Sequence, residues 1–102
     1  MSIGDLDIVG LPGEFTTMSG RRVRNAVNSI KGGTTIVAGL ANSYINYVAT
    51  PEEYDALEYE GGATLYGRYT LPAVVNAYEE IARHMMNVRL QILLTSTQDY
   101  LT

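Results

Sequence analysis

The first half of the chain alternates short apolar runs with a helical pattern. Residues 6–11 (LDIVGL) are typical of a short buried strand, and residues 34–41 (TTIVAGLA), which start β-branched and are apolar throughout, predict a second one. The apolar positions between them have the i, i+3, i+4, i+7 spacing of one helix face: Val23, Ala26, Val27 and Ile30. Strand, helix and strand within about 35 residues predict a βαβ unit with parallel strands.

Polar residues and glycines mark the ends of this first helix. Thr16 or Thr17 can cap its N-terminus, and Lys31 followed by two glycines is typical of a C-terminal stop. Residues 42–48 (NSYINYV), which follow the second strand, either continue that strand or leave the sheet.

The second half predicts two more helices with a loop between them. Residues 50–53 (TPEE) combine a threonine cap, a proline in the first helical position and a capping-box glutamate, and residues 59–67 (YEGGATLYG) indicate a structured loop. Thr70 then caps a long helix. Its apolar positions alternate between spacings of three and four: Leu71, Val74, Tyr78, Ile81, Met85, Val88 and Ile92. We therefore expect one α/β domain over residues 1–102, with a short parallel sheet flanked by helices and a long C-terminal helix.

Composition excludes several classes of function. The chain has 102 residues, 46% of them hydrophobic, and a net charge of −4, which argues against nucleic acid as a partner because phosphate binding needs a basic face. It has no cysteine, and its single histidine, His84, is expected on a solvated helix face, so one copy cannot hold a two-histidine zinc site. No apolar run reaches the roughly 18 residues of a transmembrane segment, and the N-terminus lacks the basic region of a signal peptide, which leaves the localisation open.

Candidate chemistry gathers where the two strands end. Glu14 follows the first strand, and ligands of open α/β sheets bind at the carboxyl ends of strands. A carboxylate at the start of a helix more often only complements the helix dipole. Tyr44 and Tyr47 follow the second strand, so we expect their phenols at the same sheet edge as Glu14. For each tyrosine, the alternative is a packed ring with its hydroxyl at the surface.

Four blocks of the sequence resemble the neutral, non-lysosomal ceramidases, in the same order and with nearly the same spacing. They are PGEFTTMSGRRVR (12–24), GLANSYINYV (39–48), TPEEY (50–54) and YEGGATLYG (59–67). The resemblance extends over residues 8–82. Members of that family are zinc amidases, which cleave the N-acyl bond of ceramide to give a sphingoid base and a fatty acid. The resemblance therefore implies a zinc cofactor and a ceramide or related N-acyl lipid as substrate.

The resemblance also implies roles for three residues. The family's zinc is held by two histidines, a glutamate and a tyrosine. The glutamate of the PGEFT block falls on Glu14, and the second tyrosine of the N-x-Y-x-x-Y segment falls on Tyr47. The tyrosine that opens the YEG block, which contacts the substrate near the zinc, falls on Tyr59. The metal would polarise the amide carbonyl and activate water for attack.

The chain departs from the family pattern in ways that leave two hypotheses open. The family's zinc histidines lie upstream of the PGEFT block and are not among these residues, and Arg68 and Tyr69 replace the usual Pro-His pair. The first hypothesis is a segment of a zinc amidase whose histidines come from elsewhere, for example from a partner chain. The second is a non-catalytic oligomeric module, and whether the chain alone is an enzyme stays open. The 3–4 spacing in the last helix is typical of a coiled-coil seam and predicts a homo-oligomer held largely by residues 71–94, with a core helix in a monomer as the equal alternative.

Overall fold

The computed structural model describes the backbone of residues 1–56 and 59–101, with the side chains of this part except those at 92, 93 and 96–101. It confirms the α/β class and the long C-terminal helix. In chain order the elements are β1 (Ser2–Ile3), β2 (Leu6–Gly10), β3 (Glu14–Phe15), α1 (Thr17–Lys31), β4 (Thr34–Ala38), β5 (Tyr47–Val48), α2 (Pro51–Asp55), α3 (Tyr59–Gly62) and α4 (Thr70–Leu101).

The predicted βαβ unit forms the centre of the fold. β2 and β4 pair in parallel from Leu6 opposite Thr34 to Gly10 opposite Ala38. β1 pairs antiparallel with the other side of β2, so the strand order is β1-β2-β4. The crossover helix α1 connects the two parallel strands, as the sequence pattern predicts.

The ends of α1 follow their local signals. Thr16 is the N-cap, and its side-chain oxygen accepts a hydrogen bond from the backbone N–H of Ser19 at 3.2 Å. The helix ends at Lys31, and the next residue, Gly32, has a φ of 71°, which glycine adopts without steric cost. The sequence therefore fixes both ends of this helix.

Strand β4, which was predicted over residues 34–41, is shorter and more exposed than that prediction. It ends at Ala38, and Ile36 is 48% exposed although the run was expected to be buried. The hydroxyl of Thr35 donates to the side chain of Asn28 on α1 at 3.2 Å, so Thr35 faces the helix. Because side chains alternate across a strand, Ile36 faces the opposite side of the sheet, away from α1.

The α2–α3 region confirms one prediction and corrects another. The capping box at the start of α2 is present: Thr50 Oγ1 accepts from the N–H of Glu53 at 3.1 Å, and Glu53 Oε1 accepts from the N–H of Thr50 at 2.9 Å. The prediction of a loop over residues 59–67 is wrong at its start, where α3 forms. A Cβ on Gly61 would lie 2.6 Å from the Glu53 carbonyl oxygen. The absence of a side chain at this position therefore lets α3 pack directly against α2.

The long helix α4 packs on the sheet with one face. Tyr78 Oη donates to the carbonyl oxygen of Gly10 at 2.5 Å, which fastens α4 to the end of β2. The buried face follows the helical period and reaches Ala82, whereas Ile81 and Val88 of the predicted seam are 51% and 41% exposed. The seam position Ile92 has its side chain outside the described part. Within the described residues no helix is both long enough and apolar enough to cross a bilayer.

A nearly buried ion pair joins β2 to the end of α1 at the other end of the sheet. Lys31 Nζ lies 3.2 Å from Asp7 Oδ1, and each side chain is 9% exposed. The Ser2 hydroxyl also donates to this carboxylate. Burial acts to raise the pKa of Asp7, but the hydrogen bonds from Ser2 and Lys31 and the charge of Lys31 outweigh it and lower that pKa.

This pair predicts a pH-dependent stability. Lys31→Met should lower the free energy of unfolding by about 3 kcal/mol at pH 7, because it leaves a buried carboxylate without its counter-charge. In the wild type the contribution of Asp7 is present above its unfolded pKa of about 3.8 and is lost as the pH falls through the lower native value. Urea unfolding between pH 3 and 7 measures both effects. Asp7→Asn is the control that cannot titrate, and a constant difference from wild type over this range would contradict the prediction.

Candidate functional site

The second, smaller sheet places Glu14 beside Tyr47. Residues 42–48 leave the main sheet, and β3 and β5 pair in parallel with Glu14 opposite Tyr47 and Phe15 opposite Val48. The backbone N–H of Glu14 donates to the carbonyl oxygen of Asn46 at 3.0 Å. Two residues that are distant in the sequence therefore occupy opposing positions of one short sheet.

The turn before β3 depends on a glycine. A Cβ at Gly13 would lie 2.6 Å from the carbonyl oxygen of Asn46, a distance that no side chain tolerates without backbone movement. The carbonyl of Pro12, next to it, accepts from the N–H of Ile45 at 2.7 Å. The Pro12–Gly13 pair thus turns the chain out of β2 and brings the Glu14 backbone against the segment that carries Tyr47.

Tyr44 holds the Glu14 carboxylate. Tyr44 Oη donates to Glu14 Oε2 at 2.7 Å, and the tyrosine is about half exposed. Because ionised Glu14 accepts this hydrogen bond and favours the neutral phenol, it raises the pKa of Tyr44 to about 12. The phenol therefore stays protonated at neutral pH and remains a donor to the carboxylate.

Tyr59 lies against Tyr47. The two rings meet edge to face, with centroids 5.4 Å apart and an angle of 78° between their planes. Burial and the negative charge of Glu14 raise the pKa of Tyr47. The structure thus brings the three residues named by the resemblance, Glu14, Tyr47 and Tyr59, into one neighbourhood.

An open groove runs along this neighbourhood. Its volume is about 590 Å³, and Glu14 and Tyr47 form part of its wall. Apolar side chains supply much of the rest: Leu11, Phe15, Val37 and Leu40. The groove wall therefore combines these two polar residues with apolar side chains, threonines and glycines.

The donor set fits part of a zinc site. Carboxylate and phenol oxygens are suitable zinc ligands, but two ligands do not close a tetrahedral site. No group of three or more His, Cys, Asp or Glu side chains converges anywhere in the described part of the chain. His84 lines a different cavity together with Ser2 and Lys31, away from the groove at Glu14.

Two residues near the site have a contact that the sequence did not indicate. Thr16 and Glu53 each look like a helix cap, yet Thr16 Oγ1 donates to Glu53 Oε1 at 2.7 Å. Beside this contact is an exposed ion pair, in which Arg22 Nη1 lies 3.1 Å from Glu52 Oε2. The only signal in the sequence is that each cap closely follows a segment that carries a candidate ligand.

The Tyr44–Glu14 contact predicts a titration that can be measured. In the wild type, Tyr44 should ionise near pH 12, and in Glu14→Gln its pKa should fall towards the ordinary value of 10, because the carboxylate that favours the neutral phenol is gone. Carbon-13 NMR of the tyrosine ring carbons follows the titration, and Tyr44→Phe assigns the resonance. An unchanged Tyr44 titration in Glu14→Gln would show that the contact does not form in solution.

Known proteins share both this sequence and this fold. Residues 1–76 match the family described as neutral/alkaline non-lysosomal ceramidase, N-terminal. The chain is 42% identical over 97 residues to neutral ceramidase 2 of Arabidopsis thaliana, and 42% identical over 92 residues to neutral ceramidase of Drosophila melanogaster. These alignments cover 85% and 84% of this chain but 13% of each relative.

Solved structures agree with the sequence matches. The crystal structure of neutral ceramidase from Pseudomonas aeruginosa superposes with a TM-score of 0.81 at 42% identity, over 82% of this chain and 14% of that one. A ceramidase complexed with C2 gives a TM-score of 0.82 at 41% identity, over 84% of this chain and 14% of that one. The chain therefore spans about one seventh of the proteins it matches. Because the family match covers most of its length, the chain belongs to the neutral/alkaline non-lysosomal ceramidase family.

Proposed function

We propose that this chain carries part of the active site of a zinc-dependent ceramidase. In this proposal Glu14 and Tyr47 are two of the zinc ligands, and Tyr59 contacts the substrate beside them. The observation that carries the proposal is the register of the small sheet, which sets Glu14 opposite Tyr47. The names of the relatives, all ceramidases, support ceramide or a related N-acyl lipid as substrate.

The described residues explain what this part of the site contributes. When bound, zinc polarises the amide carbonyl and lowers the pKa of water. The remaining ligands, two histidines by the family resemblance, come from outside these residues. Tyr44 donates to one oxygen of Glu14 and so fixes the orientation of the carboxylate. Burial and Glu14 oppose ionisation of Tyr47, so its phenolate needs a cation close by.

The surroundings of this pair support a lipid substrate. The groove beside Glu14 is lined by apolar side chains, and hydrocarbon chains gain free energy when such surfaces are removed from water. Tyr59 is 73% exposed and pairs an apolar ring with a hydrogen-bonding tip. Such a residue suits the border between a polar amide and its acyl chain.

A graft into a complete enzyme tests this proposal. Residues 8–82 replace the matching segment of neutral ceramidase from Pseudomonas aeruginosa, and ceramide hydrolysis and zinc content are measured. We expect the graft to be active and to hold zinc. Glu14→Gln or Tyr47→Phe in the graft should lower activity by roughly 100-fold and reduce zinc content, since even outer-shell partners of metal ligands matter by roughly 10–100-fold.

The control for the graft is a tyrosine away from the pair. Tyr66 is 73% exposed, and Tyr66→Phe should leave activity and zinc content unchanged. A graft in which Glu14→Gln keeps full activity and full zinc content would overturn the proposal.

One feature favours the alternative of a non-catalytic oligomeric module. Two apolar side chains of the predicted seam, Ile81 and Val88, are seven residues apart, lie on one side of α4 and are exposed. Exposed apolar surface of this kind is typical of interfaces, and in this alternative a second copy of the chain covers it.

Light scattering tests the oligomer. The wild type should be an oligomer, and Ile81→Glu combined with Val88→Glu should be a monomer, because both side chains are exposed and lie on the predicted seam. Leu65→Glu, at an exposed position before α4, is the matched control and should leave the oligomer intact. A monomeric wild type would end this alternative, as would an oligomer that survives the double substitution.

A further inference from the structure

One hydrogen bond joins the segments that follow the two strands of the small sheet. Thr16 comes directly after β3, and its Oγ1 donates to Glu53 Oε1 at 2.7 Å. The same carboxylate oxygen accepts from the backbone N–H of Thr50, the cap that follows β5, at 2.9 Å. A single oxygen of Glu53 therefore connects the exit of one strand to the exit of the other.

The Thr16 hydroxyl is both a hydrogen-bond donor and a hydrogen-bond acceptor. Its oxygen accepts from the N–H of Ser19 at 3.2 Å, as the N-cap of α1, and lies 2.9 Å from Ser19 Oγ, while its single proton is donated to Glu53 at the shorter distance of 2.7 Å. Ser19 is fully buried, so α1 anchors this end of the link in the core. The backbone N–H of Thr16 also donates to the carbonyl oxygen of Val48 at 3.1 Å.

The chemistry of the acceptor makes the link strong. Burial acts to raise the pKa of Glu53, but hydrogen bonds from Thr50 and Thr16 outweigh it, and the net shift is downward. Glu53 is therefore ionised at neutral pH, and hydrogen bonds to an ionised acceptor are roughly twice as strong as those between neutral groups.

The small sheet is too short to hold its two strands together by itself. β3 and β5 contribute two residues each. A two-stranded pair is marginally stable in water at best, so its geometry depends on what surrounds it. The caps of α1 and α2 stand at the same end of both strands.

We propose that Thr16 and Glu53 are positioning residues that lock the Glu14 strand to the Tyr47 strand. Their hydrogen bond fixes the distance between the two carriers of the site. The consequence for zinc rests on the proposed function, whereas the locking of the two strands does not.

Hydrogen exchange of the 102-residue chain, followed by NMR, tests the lock. The amides of Glu14 and Thr16 donate across the small sheet and report on its pairing. The amide of Leu11, which donates to β4, reports on the main sheet. In Glu53→Ala we expect the first two amides to exchange about tenfold faster and Leu11 to stay unchanged, because local opening loses the hydrogen bonds of one carboxylate.

Conservative variants separate the hydrogen bond from charge and size. Glu53→Gln keeps an acceptor oxygen at the same reach but loses the charge, so its exchange rates should lie between those of the wild type and of Glu53→Ala. Glu53→Asp keeps the charge but withdraws the oxygen from Thr16, so it should lose protection selectively. It also serves if Glu53→Ala fails to fold.

Asp7→Asn is the control for a general loss of stability, because it removes the ion pair at the other end of the main sheet. It should speed exchange without singling out Glu14 and Thr16. Equal changes at Glu14, Thr16 and Leu11 in the Glu53 variants, or the same pattern as in Asp7→Asn, would overturn the proposal.

Zinc titration by calorimetry on the metal-free graft, carrying the same substitutions, tests the consequence for the metal. Glu53→Ala should weaken zinc binding by about tenfold, because the two strands that carry the proposed ligands are no longer held together, and Glu53→Gln should weaken it less. If Glu14→Gln leaves zinc binding unchanged, the proposed function fails while the exchange data still decide on the lock. If Glu14→Gln abolishes binding and Glu53→Ala has no effect, the positioning role is wrong.

Discussion

The pairing of Glu14 with Tyr47 across a sheet of two-residue strands is the contact on which the candidate site depends. So short a sheet supplies little stability by itself, and the parts around it hold it in place. Gly13 permits the close approach of the two backbones, because any Cβ there would strike the Asn46 carbonyl. The Thr16–Glu53 hydrogen bond closes the far end of the pair. The site is therefore positioned by helix caps and a turn more than by its own strands.

The rest of the fold provides a platform for this pair. The main sheet and α1 form a conventional βαβ unit, and the hydrogen bond from Tyr78 to the Gly10 carbonyl attaches α4 to the end of β2. The candidate residues follow the carboxyl ends of β2 and β4, where ligands of open α/β sheets bind. The buried ion pair lies near the opposite ends of these strands and is therefore separate from the candidate site.

The negative charge of Glu14 helps to keep the two neighbouring phenols, Tyr44 and Tyr47, in the neutral form. One carboxylate, Glu14, raises the pKa of Tyr44 through a hydrogen bond and adds to the effect of burial on Tyr47. A cation placed beside this carboxylate and these phenols would favour the negatively charged form of each group. This environment is consistent with the family to which the chain belongs, whose named relatives are ceramidases. The chain spans about one seventh of the solved structures that it matches.

The sequence by itself determined the features that depend on neighbours along the chain. These are the Thr16 cap, the glycine stop after Lys31 and the capping box at Thr50, each set within one helical turn, and the βαβ order, which follows from three periodic segments in succession. It also carried the resemblance that named Glu14, Tyr47 and Tyr59, although no local pattern connects them. Tertiary structure alone decided that β4 turns Ile36 away from α1 and that α4 buries Ala82 and leaves Ile81 exposed. It alone decided that Glu53 reaches Thr16, because that contact depends on how distant elements pack, and helical or strand periodicity carries no information about it.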